Sequence, residues 1–104
     1  MNIKNFLFSY GSLQNAEIQL TLYNRKLVGI EDRLLGYTFS DQKIEARYPI
    51  IYKTQNLKDS ITGVVYEISE EELLLTDAYE GSSYQRVQVQ LASGIIAWCY
   101  VMHN

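Results

Sequence analysis

Residues 61–91 read ITGVVYEISEEELLLTDAYEGSSYQRVQVQL. Ile61 to Ile68 is a run of strong β-formers and predicts a strand. Ser69-Glu70-Glu71-Glu72 then matches a capping box. The serine hydroxyl takes one free amide, and Glu72 reaches back to the other. Three acids in the first turn also suit the helix dipole, so their presence needs no catalytic explanation. This short helix runs to about Tyr79, and Gly81 can stop it. Beyond it Gln85, Val87, Val89 and Leu91 alternate against Tyr84, Arg86, Gln88 and Gln90. That pattern predicts a strand with one apolar and one mostly polar face.

Working outward, Ser93-Gly94 reads as a tight hairpin turn. Ile95 to Met102 follows as a strand apolar on both faces, hence central and covered twice. Toward the N-terminus, Phe6, Phe8 and Tyr10 alternate with Leu7 and Ser9, a first strand ending at Gly11. Asn15 can cap a helix over residues 15–27, with Glu17 in its first turn and Arg25 and Lys26 in its last. Ile18 and Leu22 share one face of it, and Gly29 ends it. Leu34 to Phe39 reads as a strand broken by Gly36. Ile50-Ile51-Tyr52 is a strand that starts at Pro49 or lies on an edge, because proline cannot donate to a ladder. Gln55 to Ser60 is a polar turn, and Ser40 to Arg47 carries no decisive pattern. Four to six closely spaced strands with two helices predict an α+β domain, a small barrel or curled sheet with helices packed outside.

The chain is 104 residues with 47% hydrophobic and 20% charged residues. That length predicts one domain, residues 1–104, with one modest core. Nine basic against twelve acidic residues give a net charge of −3, and no Lys/Arg run exists. A phosphate-tracking nucleic-acid surface is therefore disfavoured. No apolar stretch approaches the ~18 residues that span a bilayer, and MNIKNFLFSYGS is too polar for a leader. The cytoplasm is the expected location. One Cys excludes an internal disulfide framework, and one His with one Cys argues against a zinc site. Tyrosine occurs nine times. β-propensity accounts for most of these, although tyrosines also line pockets well.

Two stretches could carry chemistry. Tyr10-Gly11-Ser12-Leu13 places a glycine turn between a strand and a helix start. Outward-pointing amides there bind carboxylates or phosphates without a basic side chain. The loop lacks the further glycines and lysine of a nucleotide-binding loop. The second stretch is Asp77-Ala78-Tyr79-Glu80-Gly81-Ser82-Ser83-Tyr84-Gln85-Arg86. Glu80 falls at a helix C-terminus, where the dipole disfavours a carboxylate. If it also faces a pocket, both effects raise its pKa toward the range of a useful general base. The structural alternative is an exposed Glu80 paired with Arg86. Cys99 lies inside an apolar strand with no paired His, since His103 stands next to last, and reads as a buried structural thiol. Ser9 and Ser12 lack a His partner for a hydrolase triad.

These residues, in order, resemble the gamma-glutamylcyclotransferase-like family. The resemblance runs from Tyr10-Gly11-Ser12-Leu13 through Leu35-Gly36-Tyr37, Tyr48-Pro49 and Gly63-Val64-Val65-Tyr66-Glu67-Ile68. It continues through Asp77-Ala78-Tyr79-Glu80-Gly81 and Tyr84-Gln85-Arg86 to Trp98-Cys99-Tyr100-Val101. It implies a small, mixed, strongly bent β-barrel with two or more helices outside. It implies that Tyr10, Gly11, Ser12 and Leu13 cradle a small-molecule gamma-glutamyl substrate and that Glu80 shuttles the proton. Tyr84 and Tyr100 are expected wall residues, and residues 41–59 are the candidate leaving-group side. The implied reaction cyclises a gamma-glutamyl amide or amine to pyroglutamate with release of an amine, and needs no metal or organic cofactor. The alternative is a non-catalytic small-molecule binding or interaction module on the same fold.

Overall fold

A computed structural model describes residues 5–44 and 48–102 of the protein. His103 and part of the Ser40–Arg47 segment lie outside these. The chain runs β1 (Asn5–Ser9), a 3-10 turn (Ser12–Gln14), α1 (Ala16–Tyr23), β2 (Gly29–Leu35) and β3 (Tyr37–Ile44). It continues through β4 (Tyr48–Lys53), β5 (Ser60–Ile68), α2 (Glu70–Glu80), β6 (Tyr84–Gln90) and β7 (Ile96–Met102). Five strands form one sheet in the order β2-β5-β1-β7-β6, while β3 and β4 pair as a separate ribbon. Strand β1 runs antiparallel to β5 and parallel to β7, with Leu7 beside Trp98. The mixed α+β class and the central place of β7 match the sequence reading.

Alternation along β1 shows how the sheet is covered. Leu7 faces the helices and packs with Leu13, Tyr23, Tyr66, Ile68, Leu73 and Tyr100. Phe8 faces the ribbon side and packs with Leu34, Ile51, Ile61, Val65 and Cys99. Each such large side chain contributes roughly 1.5–3 kcal/mol when fully buried. Among the described residues the strands do not close into a barrel, because β2 and β6 remain edges. The sheet is curled instead. Its β2 edge meets the loop between β6 and β7, where Ala92 N donates to Arg33 O at 2.8 Å. There the buried Asp32 accepts from the Ser93 hydroxyl and amide. The chain reverses at Gly36, φ +79°, and the break expected there within Leu34–Phe39 separates two strands that lie in different sheets. Gly36 affords this turn because left-handed φ is open to glycine.

The local signals placed α1 and α2. Asn15 Oδ1 accepts from Glu17 N and Ile18 N, and Ser69 with Glu72 completes the capping box. Helix α1 ends earlier than residue 27, however. Asn24 takes the left-handed conformation, φ 59°, and breaks the helix there. Arg25 is freed to make a bidentate pair with Glu72 at 2.8 Å, joining the two helices' ends. Gly29 opens β2 rather than closing α1. A Cβ on it would lie 2.2 Å from Val64 Cγ1. Helix α2 is locked onto α1 by a buried chain in which Tyr23 OH meets Thr76 Oγ1, which donates to Glu72 O. Among the described residues no helix is long and apolar enough to cross a membrane.

Candidate active site

The chain leaves β1 at Ser9, passes through Tyr10 and Gly11, and tightens into the 3-10 turn. Gln14 N donates to Gly11 O and Asn15 N to Ser12 O. Side chains hold the rest of the loop. The Gln14 amide donates to Ser9 O at 2.7 Å, and the buried Gln19 amide donates to Leu13 O at 2.8 Å. As the first residues of a helical turn, Ser12 and Leu13 have amides with no intrahelical acceptor. Gly63 lets β1 lie close at this point, since a Cβ there would meet Ser9 O at 2.4 Å and the Phe8 ring at 2.6 Å.

Helix α2 brings Glu80 to the same place. A pocket of about 40 Å³ is lined by Phe8, Ser9, Tyr10, Gly11, Ser12, Leu13, Glu80, Tyr84 and Tyr100. The seven residues singled out from the sequence therefore share one cavity. Phe8 and Ser9 join them, and their place just before the Tyr10–Leu13 loop was the signal available. Burial pushes the Glu80 carboxyl up to about 7, and burial is the only cause of that shift. Arg86 does not pair with Glu80. It lies 3.4 Å from Asp77 Oδ1 and stacks over Trp98 at 4.4 Å.

Tyrosine hydroxyls make hydrogen bonds around the pocket. Tyr10 OH donates to Tyr100 O at 2.6 Å, and Tyr100 OH donates to Asp77 Oδ1 at 2.5 Å. Ser12 Oγ and Tyr79 OH meet at 2.8 Å. Burial also raises the pKa of both Tyr10 and Tyr100, so these phenols stay protonated. Asp77 and Tyr79 were not singled out, although both stand in the stretch that contains Glu80. No described residue of the 41–59 segment lines this pocket. Ile50 to Lys53 instead line a separate cavity of about 370 Å³. Cys99 is fully buried with its thiol pushed up to about 12, first by burial and then by the Glu80 charge.

Fold and pocket together define a small α+β domain in which a half-buried carboxyl shares a pocket with the Gly11–Leu13 loop. Residues 7–104 match the family described as gamma-glutamyl cyclotransferase, AIG2-like, and the chain belongs to that family. Solved structures share the fold. An Arabidopsis thaliana protein solved in solution superposes with a TM-score of 0.84 at 24% identity, covering 98% of this chain and 64% of that one. A structure named gamma-glutamyl cyclotransferase gives 0.79 at 19%, covering 98% and 68%. A Homo sapiens protein gives 0.76 at 22%, covering 97% and 68%. The chain thus spans about two-thirds of the length of these structures. No curated protein matches it.

Proposed function

We propose that the protein is a cyclotransferase that converts a gamma-glutamyl amide or amine to pyroglutamate and releases an amine. The observation that carries this reading is the meeting of Glu80 with the Gly11–Leu13 loop in one pocket. A gamma-glutamyl substrate contains its own nucleophile, the α-amine. The Glu80 carboxylate accepts a proton from the α-ammonium. The freed amine attacks the side-chain carbonyl carbon and closes a five-membered ring. The resulting oxyanion faces the Ser12 and Leu13 amides, which are positioned to stabilise it. The Glu80 carboxylic acid then gives its proton to the leaving nitrogen as the old C–N bond breaks. The regenerated carboxylate takes the second proton from the new ring nitrogen, and that proton departs with the amine as its ammonium ion. A group with a pKa of about 7 serves as acceptor and donor in turn near neutral pH. Folding the substrate for ring closure is an orientation task, and the Tyr10, Tyr84 and Tyr100 rings supply rigid walls for it.

The test is direct. Purified protein is incubated with a panel of gamma-glutamyl amino acids and amines, and pyroglutamate is detected by mass. Lactam release with an equivalent of amine supports the reading. Silence across the panel, with binding retained, moves the assignment to a non-catalytic binding module.

A further inference from the structure

A gamma-glutamyl amide has two ends, and the Glu80 pocket is small. Its volume of about 40 Å³ is well below the ~300 Å³ or more of usual small-molecule sites. A substrate with a sizeable leaving amine needs space beyond it. Next to the pocket is a groove of about 490 Å³ lined by Asn15, Glu17, Ile18, Thr21, Leu22 and Tyr79. One hydrogen bond links the two linings, between Ser12 Oγ of the pocket and Tyr79 OH of the groove. Ile18, Leu22 and the Tyr79 ring make the groove largely apolar. Asn15 Oδ1 is already occupied in capping α1. Glu17 is the one charged residue of the lining, and neither cavity has a lysine or arginine among its described lining residues.

The 370 Å³ cavity is placed less well. It is lined by Tyr37, Ile51 and Val87 among others and shares no lining residue with the Glu80 pocket, and no hydrogen bond described above joins the two linings. The α1–Tyr79 groove, by contrast, shares the α2 end that carries Glu80, since Tyr79 lines it and bonds Ser12 of the pocket.

We propose that the groove between α1 and Tyr79 receives the leaving amine, so that preferred substrates are gamma-glutamyl amides of apolar, non-acidic amines. This rests on the cyclotransferase reading above. An apolar amine gains contact with Ile18 and Leu22. An acidic one meets the Glu17 carboxylate without a compensating cation.

The experiment compares kcat/KM of the full chain for gamma-glutamyl benzylamide, gamma-glutamyl methylamide and gamma-glutamyl glutamate, read as pyroglutamate. The expected order is benzylamide first, about tenfold or more above methylamide, and glutamate last. Leu22→Asn should bring the benzylamide-to-methylamide ratio toward one. Thr21 is exposed on the groove rim, so Thr21→Arg leaves the core intact. It should lower that ratio and raise glutamate turnover relative to benzylamide. Loss of fold would depress all three probes together and leave the ratios unchanged. Pyroglutamate from every probe at equal rates, or ratios unmoved in the folded Thr21→Arg variant, refutes the groove as the subsite and leaves the cyclotransferase reading standing. No pyroglutamate from any probe refutes both.

Discussion

Glu80→Gln separates the chemical role of this side chain from a structural one. The substitution keeps the shape and removes the titration. In the native protein burial raises the carboxyl from 4.5 to about 7. The folded state therefore holds this proton more tightly than the unfolded chain does. Its stability is full below about pH 4.5, falls as pH rises, and carries the whole penalty above about pH 7. At 1.36 kcal/mol per pH unit that penalty is ~3 kcal/mol. Glutamine escapes it, but its amide enters the pocket without a partner, which costs ~1–3 kcal/mol. The offset is independent of pH, so the informative quantity is the change in the stability gap between pH 4 and pH 8. The variant should gain on the native protein across that interval by ~3 kcal/mol. Each ~1 kcal/mol amounts to roughly 4–8 °C in Tm for a domain of this size. Turnover of a gamma-glutamyl probe should fall ~100-fold or more, with substrate binding retained. Any cyclisation by the native protein should fall as pH drops below about 7, where the carboxylate is protonated. Thermal unfolding at several pH values and pyroglutamate release, measured on one preparation, decide the matter. A folded variant that cyclises at near the native rate removes Glu80 from the mechanism. A stability gap that stays flat from pH 4 to pH 8 refutes the buried, uncompensated carboxyl.

Three further substitutions probe the scaffold. Cys99→Ala should cost ~1–2 kcal/mol by chemical denaturation and leave turnover intact, because the thiol is fully buried. The folded native protein should also resist iodoacetamide. Gly63→Ala drives a Cβ against Ser9 O and the Phe8 ring. It should lower stability by ~1–3 kcal/mol and cut pyroglutamate release beyond the loss of folded protein, because Ser9 leads into the Tyr10–Leu13 loop. Asp32→Ala strips the anchor of the β6–β7 loop and should cost ~2–3 kcal/mol. Burial pushes the Asp32 carboxyl up, but hydrogen bonds from Ser93 and Arg33 outweigh it, and its pKa is lowered. Its contribution should therefore be present at neutral pH and disappear on acidification through the folded-state pKa, as an acid-unfolding comparison with the variant would show.

What the sequence disclosed follows the range of each interaction. Asn15, Ser69 with Glu72, and Gly81 act within a turn, so their caps could be read from neighbouring residues. Strand β7 was legible as central because a strand buried on both faces must be apolar on both. The errors came where a local signal had two outcomes. Arg25 and Lys26 suited a helix C-terminus, yet Asn24 could end the helix first, and Arg25 found Glu72 across the fold. Gly36 was visible as a break, but nothing local said that β3 would leave the sheet and pair with β4. Barrel closure depends on which edges meet, and the contact between Arg33 and Ala92 joins residues from opposite halves of the chain.

The pocket shows why two motifs could be identified without their connection being visible. Parallel pairing of β1 with β7 sets Leu7 beside Trp98 and so carries Tyr10 to the level of Tyr100. The Tyr10 hydroxyl takes the Tyr100 carbonyl, and the Tyr100 hydroxyl takes Asp77, one helical turn before Glu80. Tyr79 then ties that same turn back to Ser12. Each link starts from a tyrosine whose strand or helix propensity was reason enough for its presence. Their second role appears only when three distant elements converge. The same chain of contacts makes Glu80's position depend on β7 as much as on α2. Removing the Tyr100 hydroxyl should consequently weaken catalysis through the placement of Glu80 while leaving the cap at Ser69 and the packing of Thr76 undisturbed.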